Sequence, residues 1–573
     1  MPVQNLDVSD IFNKMADLLE IEGPNPFRVR AYRNASRAVS SLPRSVSDML
    51  ESGEDLTKLP GIGKDLAGKI QEIVKTGTLA QLEELEGKTP SGLSQLMKVE
   101  GLGPKRVSAL NRHLGVTSIK ELEESARKGK VRELVGFGKK IEQKILEELE
   151  AYEGTEKRIK LIEAEQRARS IVEYLKGAEG IRKITVAGSY RRRKETVGDL
   201  DILVTCKRGA QVMKRFVNYE DVKKVVSQGN TRATIILRSG LHVDLRVVPQ
   251  VSYGAALHYF TGSKAHNIAV RKLGVKKNLK INEYGVFKED HRIAGKTEKE
   301  VYNQVDLPYI EPELRENHGE VEAAQKGRLP LLIDLKDLRG DLHAHTEATD
   351  GSATLEEMAE SAEARGYEYL AITDHSKKVS IAHGLDARRL ARQIEEIDKL
   401  NEKLRDIVLL KGIEVDILKD GTLDLPDTVL KELDVVVCSV HYHRGISRRQ
   451  MTERVIRAMD NPYFNIFAHP TGRLINERQP YQIDLERIIE AANERGCFLE
   501  INANPDRLDL SDSHCKMAKD MGLKLAVSTD AHSVADMDFI RYGVDQARRG
   551  WLESGDIINT RSLKQLRKML KRT

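Results

Sequence analysis

Hydrophobic spacing divides the chain into three regimes. Through residues 1–150 apolar positions recur at helical spacing between short polar turns, which predicts an almost wholly helical region. One pattern repeats inside it: LPGIGKDLAGKI (Leu59 to Ile70), VEGLGPKRVSAL (Val99 to Leu110) and LVGFGKKIEQKI (Leu134 to Ile145). Each sets two glycines around one apolar residue and then starts a basic amphipathic segment. From about residue 155 short apolar runs take over (ITVAGS, LDILVT, ATIILRS, HVDLRVV), and these read as strands separated by basic helices or loops. The polar, proline-bearing LPYIEPELRENHGEVEAAQKG (Leu307 to Gly327) marks the major boundary. Beyond it, runs of strand length alternate with helical segments, the order expected of a β/α barrel.

Length and charge sharpen this division. A chain of 573 residues exceeds one core. Its net charge of +5 hides an asymmetry: residues 1–150 balance 23 Lys+Arg against 23 Asp+Glu, 151–300 carry 31 against 17, and the remainder carries 39 against 48. The basic central block points to a polyanion, nucleic acid first. No long apolar run or signal pattern occurs, so a cytoplasmic protein without a membrane partner is expected. Four dispersed cysteines with no CxxC read as buried thiols and exclude a disulfide framework or zinc ribbon.

The glycine pairs Gly61 and Gly63, Gly101 and Gly103, and Gly136 and Gly138 permit tight turns whose N–H groups, with the next helix N-terminus, face outward as an anion site. This is the mechanics of a helix-hairpin-helix, which grips a DNA phosphate without reading bases.

The first catalytic constellation is GSYRRRKETVGDLDILV (Gly188 to Val204). Asp199 and Asp201 alternate along a predicted strand, so both project from one face, and Asp244 sits in a second strand-like run. Three carboxylates offer only oxygen, which suits Mg²⁺ or Mn²⁺ together with water and phosphate. Gly188 and Ser189 leave a strand into a helix, where N–H groups can hold a triphosphate, and Arg192 adds charge.

In this order, GSYRRRKETVGDLDILV, HVDLR, YFTGSKAHN and LKINEYGVF resemble the palm and thumb of family X DNA polymerases, the group of DNA polymerase beta. The resemblance implies that Asp199, Asp201 and Asp244 bind the catalytic metals. It implies that Tyr259, Phe260, Gly262 and Ser263 lie at the nucleotide sugar and base, Asn267 at the minor-groove edge and Arg271 at the template. Asn282, Glu283 and Tyr284 would couple closure to chemistry. His242 stands where polymerase beta has an arginine, and Lys264 where an acidic residue often contacts the base. NPFRVRAYRNA and LPGIGKDLAGKI resemble the family's small lyase domain, which makes Lys69 the candidate Schiff-base lysine. Several auxiliary basic positions differ, Asp65 among them.

The second constellation is histidine-rich. Apolar runs end at His343 and His345, His375, Glu414, His441, His469, and Asp530 with His532, as a β/α barrel builds a site from strand ends. Imidazoles with carboxylates suit Zn²⁺, Mn²⁺ or Fe²⁺ better than Mg²⁺ alone. HAH, TDH, GIE, SVH, AHP and TDAH resemble the PHP (polymerase and histidinol phosphatase) domain. Carried over, its ligands are His343, His345, Asp350, His375, Glu414, His441, His469, Asp530 and His532, with up to three Mn²⁺ or Zn²⁺ ions, and Arg473 is the expected phosphate contact.

The expected architecture is multidomain α and α/β. A lyase-like helical domain spans 1–85, a fingers-like helical domain 86–154, a nucleotidyltransferase palm 155–250 and a thumb 251–318. A linker at 319–337 leads to a distorted, TIM-like PHP barrel at 338–573. The implied function is a monomeric, prokaryotic, nucleoid-associated repair polymerase. It would act on gapped, nicked, abasic or 3′-end DNA with dNTPs, and the PHP part would be a 3′–5′ exonuclease and abasic endonuclease. The alternative is a template-independent nucleotidyltransferase whose PHP domain is structural and catalytically silent.

Overall fold

The computed structural model describes residues 5–22, 26–40, 46–59, 61–88, 93–96, 99, 102, 104–152 and 158–572, in two compact units that divide between Lys157 and Arg158. Among the described residues no helix is long and apolar enough to cross a membrane.

The first unit is helical with two cores, one gathering Val8, Phe12, Tyr32 and Ile70, the other Val107, Leu110 and Ile145. The apolar residue between each glycine pair anchors its turn: Ile62, Leu102 and Phe137 are all buried. Gly61, Gly136 and Gly138 are exposed at φ +80°, +88° and +101°, a conformation that only glycine adopts cheaply. Gly63, extended, caps helix Lys64–Thr76. Gly101 and Gly103 lie outside the described residues.

The second unit begins with a five-stranded sheet in the order Ile181–Val186, Asp199–Cys206, His242–Val247, Arg232–Leu237, Val222–Gln228. Alternation along Asp199–Cys206 sends Leu200, Ile202 and Val204 into a core with helices Leu161–Lys176 and Gly209–Val217. The opposite face carries Asp199, Asp201 and Leu203, and Leu203 packs with Tyr253, Ala256 and Leu257 of helix Tyr253–Thr261. Helix Lys264–Lys276 and a three-stranded antiparallel sheet (Leu279–Asn282, Gly285–Lys288, His291–Ala294) follow. The stretch expected as a linker is not detached at its start. Helix Glu320–Gln325 packs Val321 and Ala324 into a core with Val270, Ile281 and Val286 of the preceding helix and three-stranded sheet, and fully buried Glu320 meets His266 at 2.6 Å. Apolar spacing there outweighs the polar composition.

The C-terminal barrel is a seven-stranded parallel sheet in sequential order, from Gly340–Ala344 through Tyr369–Ile372, Val408–Asp416, Val435–Ser439, Ile466–Phe467 and Phe498–Asn502 to Leu525–Ser528. The ring closes where Asp530 N–H donates to His343 O (3.0 Å) and His345 N–H to Ala531 O (2.8 Å). Ion pairs fasten the preceding sheets to the barrel: Lys160 with the exposed Glu477 and Asp506 (2.6 Å each), and the more buried Arg193 with Asp545 (2.6 Å) and Glu313 with Arg548 (2.7 Å). Of the cysteines, Cys438, Cys497 and Cys515 are buried, while Cys206 is partly exposed, at the end of its strand.

Candidate active sites

Parallel pairing of Asp199–Cys206 with His242–Val247 sets Asp201 directly opposite Asp244 and Asp199 opposite His242. Thr234 Oγ1 donates to Asp244 Oδ1 at 2.5 Å and fixes that carboxylate from the next strand. Burial, then the charges of Asp199 and Asp244, push Asp201 up to about 7. Carboxylates that resist ionising together are what a divalent cation neutralises, so the all-oxygen set fits Mg²⁺ or Mn²⁺. Gly188 has φ +64°, and a Cβ there would lie 2.8 Å from Asp201 Oδ2, so glycine is needed for the loop to pass this close.

A cavity of about 860 Å³ opens beside these residues, lined by Gly188, Ser189, Arg192, Asp199, Asp201, Tyr259, Phe260, Gly262, Lys264, Asn267 and Arg271 among others. Ser189 Oγ and Asn267 Oδ1 are buried and lack a hydrogen-bond partner among the described residues. Unpaired buried polar atoms at a cavity wall fit a polar ligand such as a nucleotide. Asn267 Nδ2 donates to Tyr259 O (2.7 Å), and Arg271 stands 5.2 Å over the Tyr259 ring. Ser263 instead caps helix Lys264–Lys276, accepting from His266 N–H at 3.2 Å. Asn282 closes a hairpin turn by accepting from Tyr284 and Gly285 N–H, with Tyr284 exposed.

Sequence reasoning missed Arg158, whose guanidinium holds Thr196 O at 2.7 Å, and Lys194; both line the cavity. It also missed Asp512, Gln546 and Arg549, which reach the cavity from the barrel. No local pattern marks residues whose neighbours lie hundreds of positions away.

In the helical unit Lys69 Nζ lies 2.6 Å from Asp65 Oδ2 and 5.1 Å from the centre of the Tyr32 ring. Burial opposes the ammonium, but Asp65 and Tyr32 override it and raise the Lys69 pKa. A Schiff-base nucleophile needs the opposite shift.

The barrel brings its strand-end residues together around Glu414. This carboxylate lies 2.6 Å from His375 Nδ1, 3.0 Å from His469 Nε2, 3.5 Å from His441 Nε2 and 3.7 Å from His343 Nε2. Asp530 lies 3.2 Å from His345 Nε2, and Asp350 lies 3.3 Å from His375 and 3.5 Å from His532. Three overlapping groups have metal-ligand spacing: His345, Asp350, His375 and His532; His343, His345 and Asp530; and His375, Glu414 and His441. His343 Nε2, both His345 nitrogens and Glu414 Oε2 are buried without hydrogen-bond partners among the described residues. Such orphaned donors, imidazole with carboxylate, fit cations of the Zn²⁺ or Mn²⁺ class.

Charge in this cluster is divided unevenly. Burial opposes a proton on His375, yet Glu414 and Asp350 lift it to about 10, and Asp350 with Asp530 lifts His532 to about 9. Burial and the neighbouring His375 and His532 push His345 down to about 4. Cations bound here would displace protons from His375 and His532.

Second-layer residues were not legible in the sequence. Glu500, fully buried inside strand Phe498–Asn502, takes His343 Nδ1 at 2.7 Å and His469 N–H at 2.7 Å. Asp416 accepts from His441 N–H at 2.9 Å. Asp374, next to His375, turns away to Thr346, Thr349 and Gln393. Arg473, the expected phosphate contact, has its guanidinium paired with Glu195 at 2.7 Å, because barrel docking puts that carboxylate within reach.

Over 570 residues, 99% of this chain and 99% of the relative, the sequence is 40% identical to the DNA polymerase/3′-5′ exonuclease PolX of Bacillus subtilis (strain 168). The chain belongs to the family X DNA polymerases that carry a C-terminal PHP domain. Residues 3–79 match the helix-hairpin-helix domain, 93–151 the SAM-like helix-hairpin-helix tandem and 158–250 the DNA polymerase beta palm. Residues 256–316 match the DNA polymerase beta thumb and 341–504 the PHP domain. A probable phosphatase of Thermoanaerobacter sp. (strain X514) is 32% identical over 231 residues, 38% of this chain and 89% of that protein. DNA polymerase lambda of Arabidopsis thaliana is 27% identical over 350 residues, 55% of this chain and 62% of that protein. Membership in this family entails divalent-metal chemistry at both centres, consistent with the donor sets.

Proposed function

We propose that this chain is a DNA repair polymerase that fills short gaps and also hydrolyses DNA at 3′ ends and abasic sites. The observation that carries the reading is the division of donor chemistry. Asp199, Asp201 and Asp244 offer oxygen alone beside a nucleotide-sized cavity, whereas the barrel gathers six imidazoles with three carboxylates. Asp199, Asp201 and Asp244 would hold Mg²⁺ or Mn²⁺ and the nine barrel ligands up to three Mn²⁺ or Zn²⁺. When bound, these cations supply charge neutralisation at phosphorus and, in the barrel, activation of water.

The chain's own residues supply the positioning. Ser189 and Arg192 hold the triphosphate of an incoming dNTP, with Gly188 leaving room for it against Asp201. Tyr259 and Phe260 wall the sugar with Gly262, Asn267 orients the base edge, and Arg271 reaches the template. Asp244, opposite Asp201 and fixed by Thr234, is the carboxylate placed to take the proton of a primer 3′-hydroxyl. The exposed turns at Gly61, Gly63, Gly136 and Gly138 take DNA phosphates without base preference. The protein works as a cytoplasmic, nucleoid-associated monomer. The assay is the purified chain on one-nucleotide-gapped, 3′-mismatched and abasic DNA, with Mg²⁺ and Mn²⁺ supplied separately. Gap filling and 3′-end removal are expected, and extension of single strands in preference to gaps would overturn the reading.

A further inference from the structure

The loop that leads out of strand Ile181–Val186 is held from the barrel at three successive points. Arg549 Nη1 donates to the main-chain oxygen of Arg192 at 2.7 Å. Arg193, at φ +56°, gives its guanidinium to Asp545 at 2.6 Å. Glu195 takes Arg473 at 2.7 Å. Two of these three holds come from one element, since Asp545 and Arg549 both belong to helix Ile540–Arg549.

Arg549 does more than touch the loop. Its Nη1 also reaches Glu316 Oε1 at 3.2 Å, and its Nη2 lies 2.5 Å from Asp512 Oδ2. Glu316 Oε1 in turn accepts from Arg192 Nε at 2.9 Å, and Arg192 Nη1 donates to Thr261 O. Arg549 therefore fixes Arg192 twice, at its main chain directly and at its guanidinium through Glu316. The Arg549 side chain is 3% exposed, so this is an internal bracket and not a surface pair. Arg192 lines the cavity with Ser189 and Asp201, as do Arg549 and Asp512.

We propose that Arg549 is a positioning residue for nucleotide addition: the hydrolytic barrel forms the back wall of the polymerase's triphosphate pocket and sets Arg192 in it. A flexible arginine donates well to a substrate phosphate only when its geometry is fixed beforehand, and small misplacements are costly in rate or affinity. The barrel residue brings that order to the palm. The inference rests on the polymerase reading above and adds to it a reason for palm and barrel to share one compact unit.

The test uses the full chain carrying Arg549→Ala, Arg549→Lys or, as a control on docking, Asp545→Asn. Measured are the KM for dNTP on one-nucleotide-gapped DNA, the KM for pyrophosphate in the reverse reaction, the Kd for gapped DNA and the barrel's nuclease rate. Arg549→Ala is expected to raise both KM values by about tenfold, as for loss of an oriented ligand contact. Arg549→Lys, which keeps the charge but not the fork, is expected to raise them less and serves if the alanine variant does not fold. The DNA Kd and the nuclease rate are expected to stay within about twofold of the parent. Unchanged KM values in a folded variant would overturn the inference. So would a parallel fall in every activity, or the same profile from Asp545→Asn, since each would reduce Arg549 to an element of docking. A parent chain that adds no nucleotide overturns the polymerase reading itself, whereas an active parent with an indifferent Arg549 overturns this inference alone.

Discussion

Asp201 and Asp244 face one another as register partners on adjacent parallel strands, and Thr234 fixes Asp244 from the strand beyond. The barrel ligands share no residue with this pair. Asp199→Ala combined with Asp201→Ala should therefore lower nucleotide addition by at least about three orders of magnitude, the upper scale for removing transition-state charge stabilisation. Nuclease activity should persist, and His343→Ala should do the reverse. Primer extension and 3′-end degradation measured on the same preparations decide it, and loss of both activities from either change would argue against independent centres.

Glu500 orients His343 through Nδ1 and also holds the His469 N–H. Glu500→Gln keeps the shape but removes the charge that favours this orientation. Metal affinity of the barrel should fall about 10–100-fold, the usual effect of losing an outer partner of a ligating histidine. Metal content after graded chelation, read by elemental analysis, is the measurement; an unaltered retention curve would show that Glu500 serves packing alone.

His266 is buried between Glu320 and Tyr302, and burial with the nearby Arg315 lowers its pKa to about 3. The unfolded chain takes up this proton near pH 6.5 while the folded chain refuses it until about pH 3. Its contribution to stability is thus complete above about pH 6.5 and declines as pH falls, by about 1.4 kcal/mol per pH unit. Between pH 7 and pH 5 the parent should lose about 2 kcal/mol more than His266→Gln. Equal pH slopes in denaturant unfolding of the two chains would contradict this. Because His266 lies on helix Lys264–Lys276 beside Asn267, acid should loosen the nucleotide side of the thumb first.

Against burial, Asp65 and Tyr32 hold the Lys69 pKa above its ordinary value. Borohydride trapping of the chain on 5′-deoxyribose-phosphate DNA should therefore be weak at pH 7. Asp65→Asn should increase it several-fold, about the factor expected from removing one charge-assisted contact. Lys69→Arg should abolish any adduct; trapping that ignores both changes would assign it to another amine.

What could be read from the sequence was whatever depends on local spacing. The Gly-apolar-Gly turns announce themselves because φ beyond +80° at Gly136 and Gly138 demands glycine. Asp199 and Asp201 are visible through strand alternation, and His343, His441 and His469 through their place at the ends of apolar runs. Partners fixed by docking were not visible. Arg473 looked like a phosphate ligand because it follows His469, yet its carboxylate is Glu195, across the domain junction. Glu500 and Asp416 sit within hydrophobic strands, where nothing but the assembled barrel explains a buried charge. The polar look of residues 319–337 concealed Val321 and Ala324, whose spacing matters more than their neighbours' charge.

The seam of the barrel is stitched by the main chain of its own ligands, Asp530 to His343 and His345 to Ala531. A chain truncated after Ser528 keeps all seven strands but loses both of these hydrogen bonds across the seam. It then lacks Asp530 and His532 and the partner that orders His343 and His345. Ring closure and the proposed metal cluster thus hang on the same strand end, so a single break there undoes both at once.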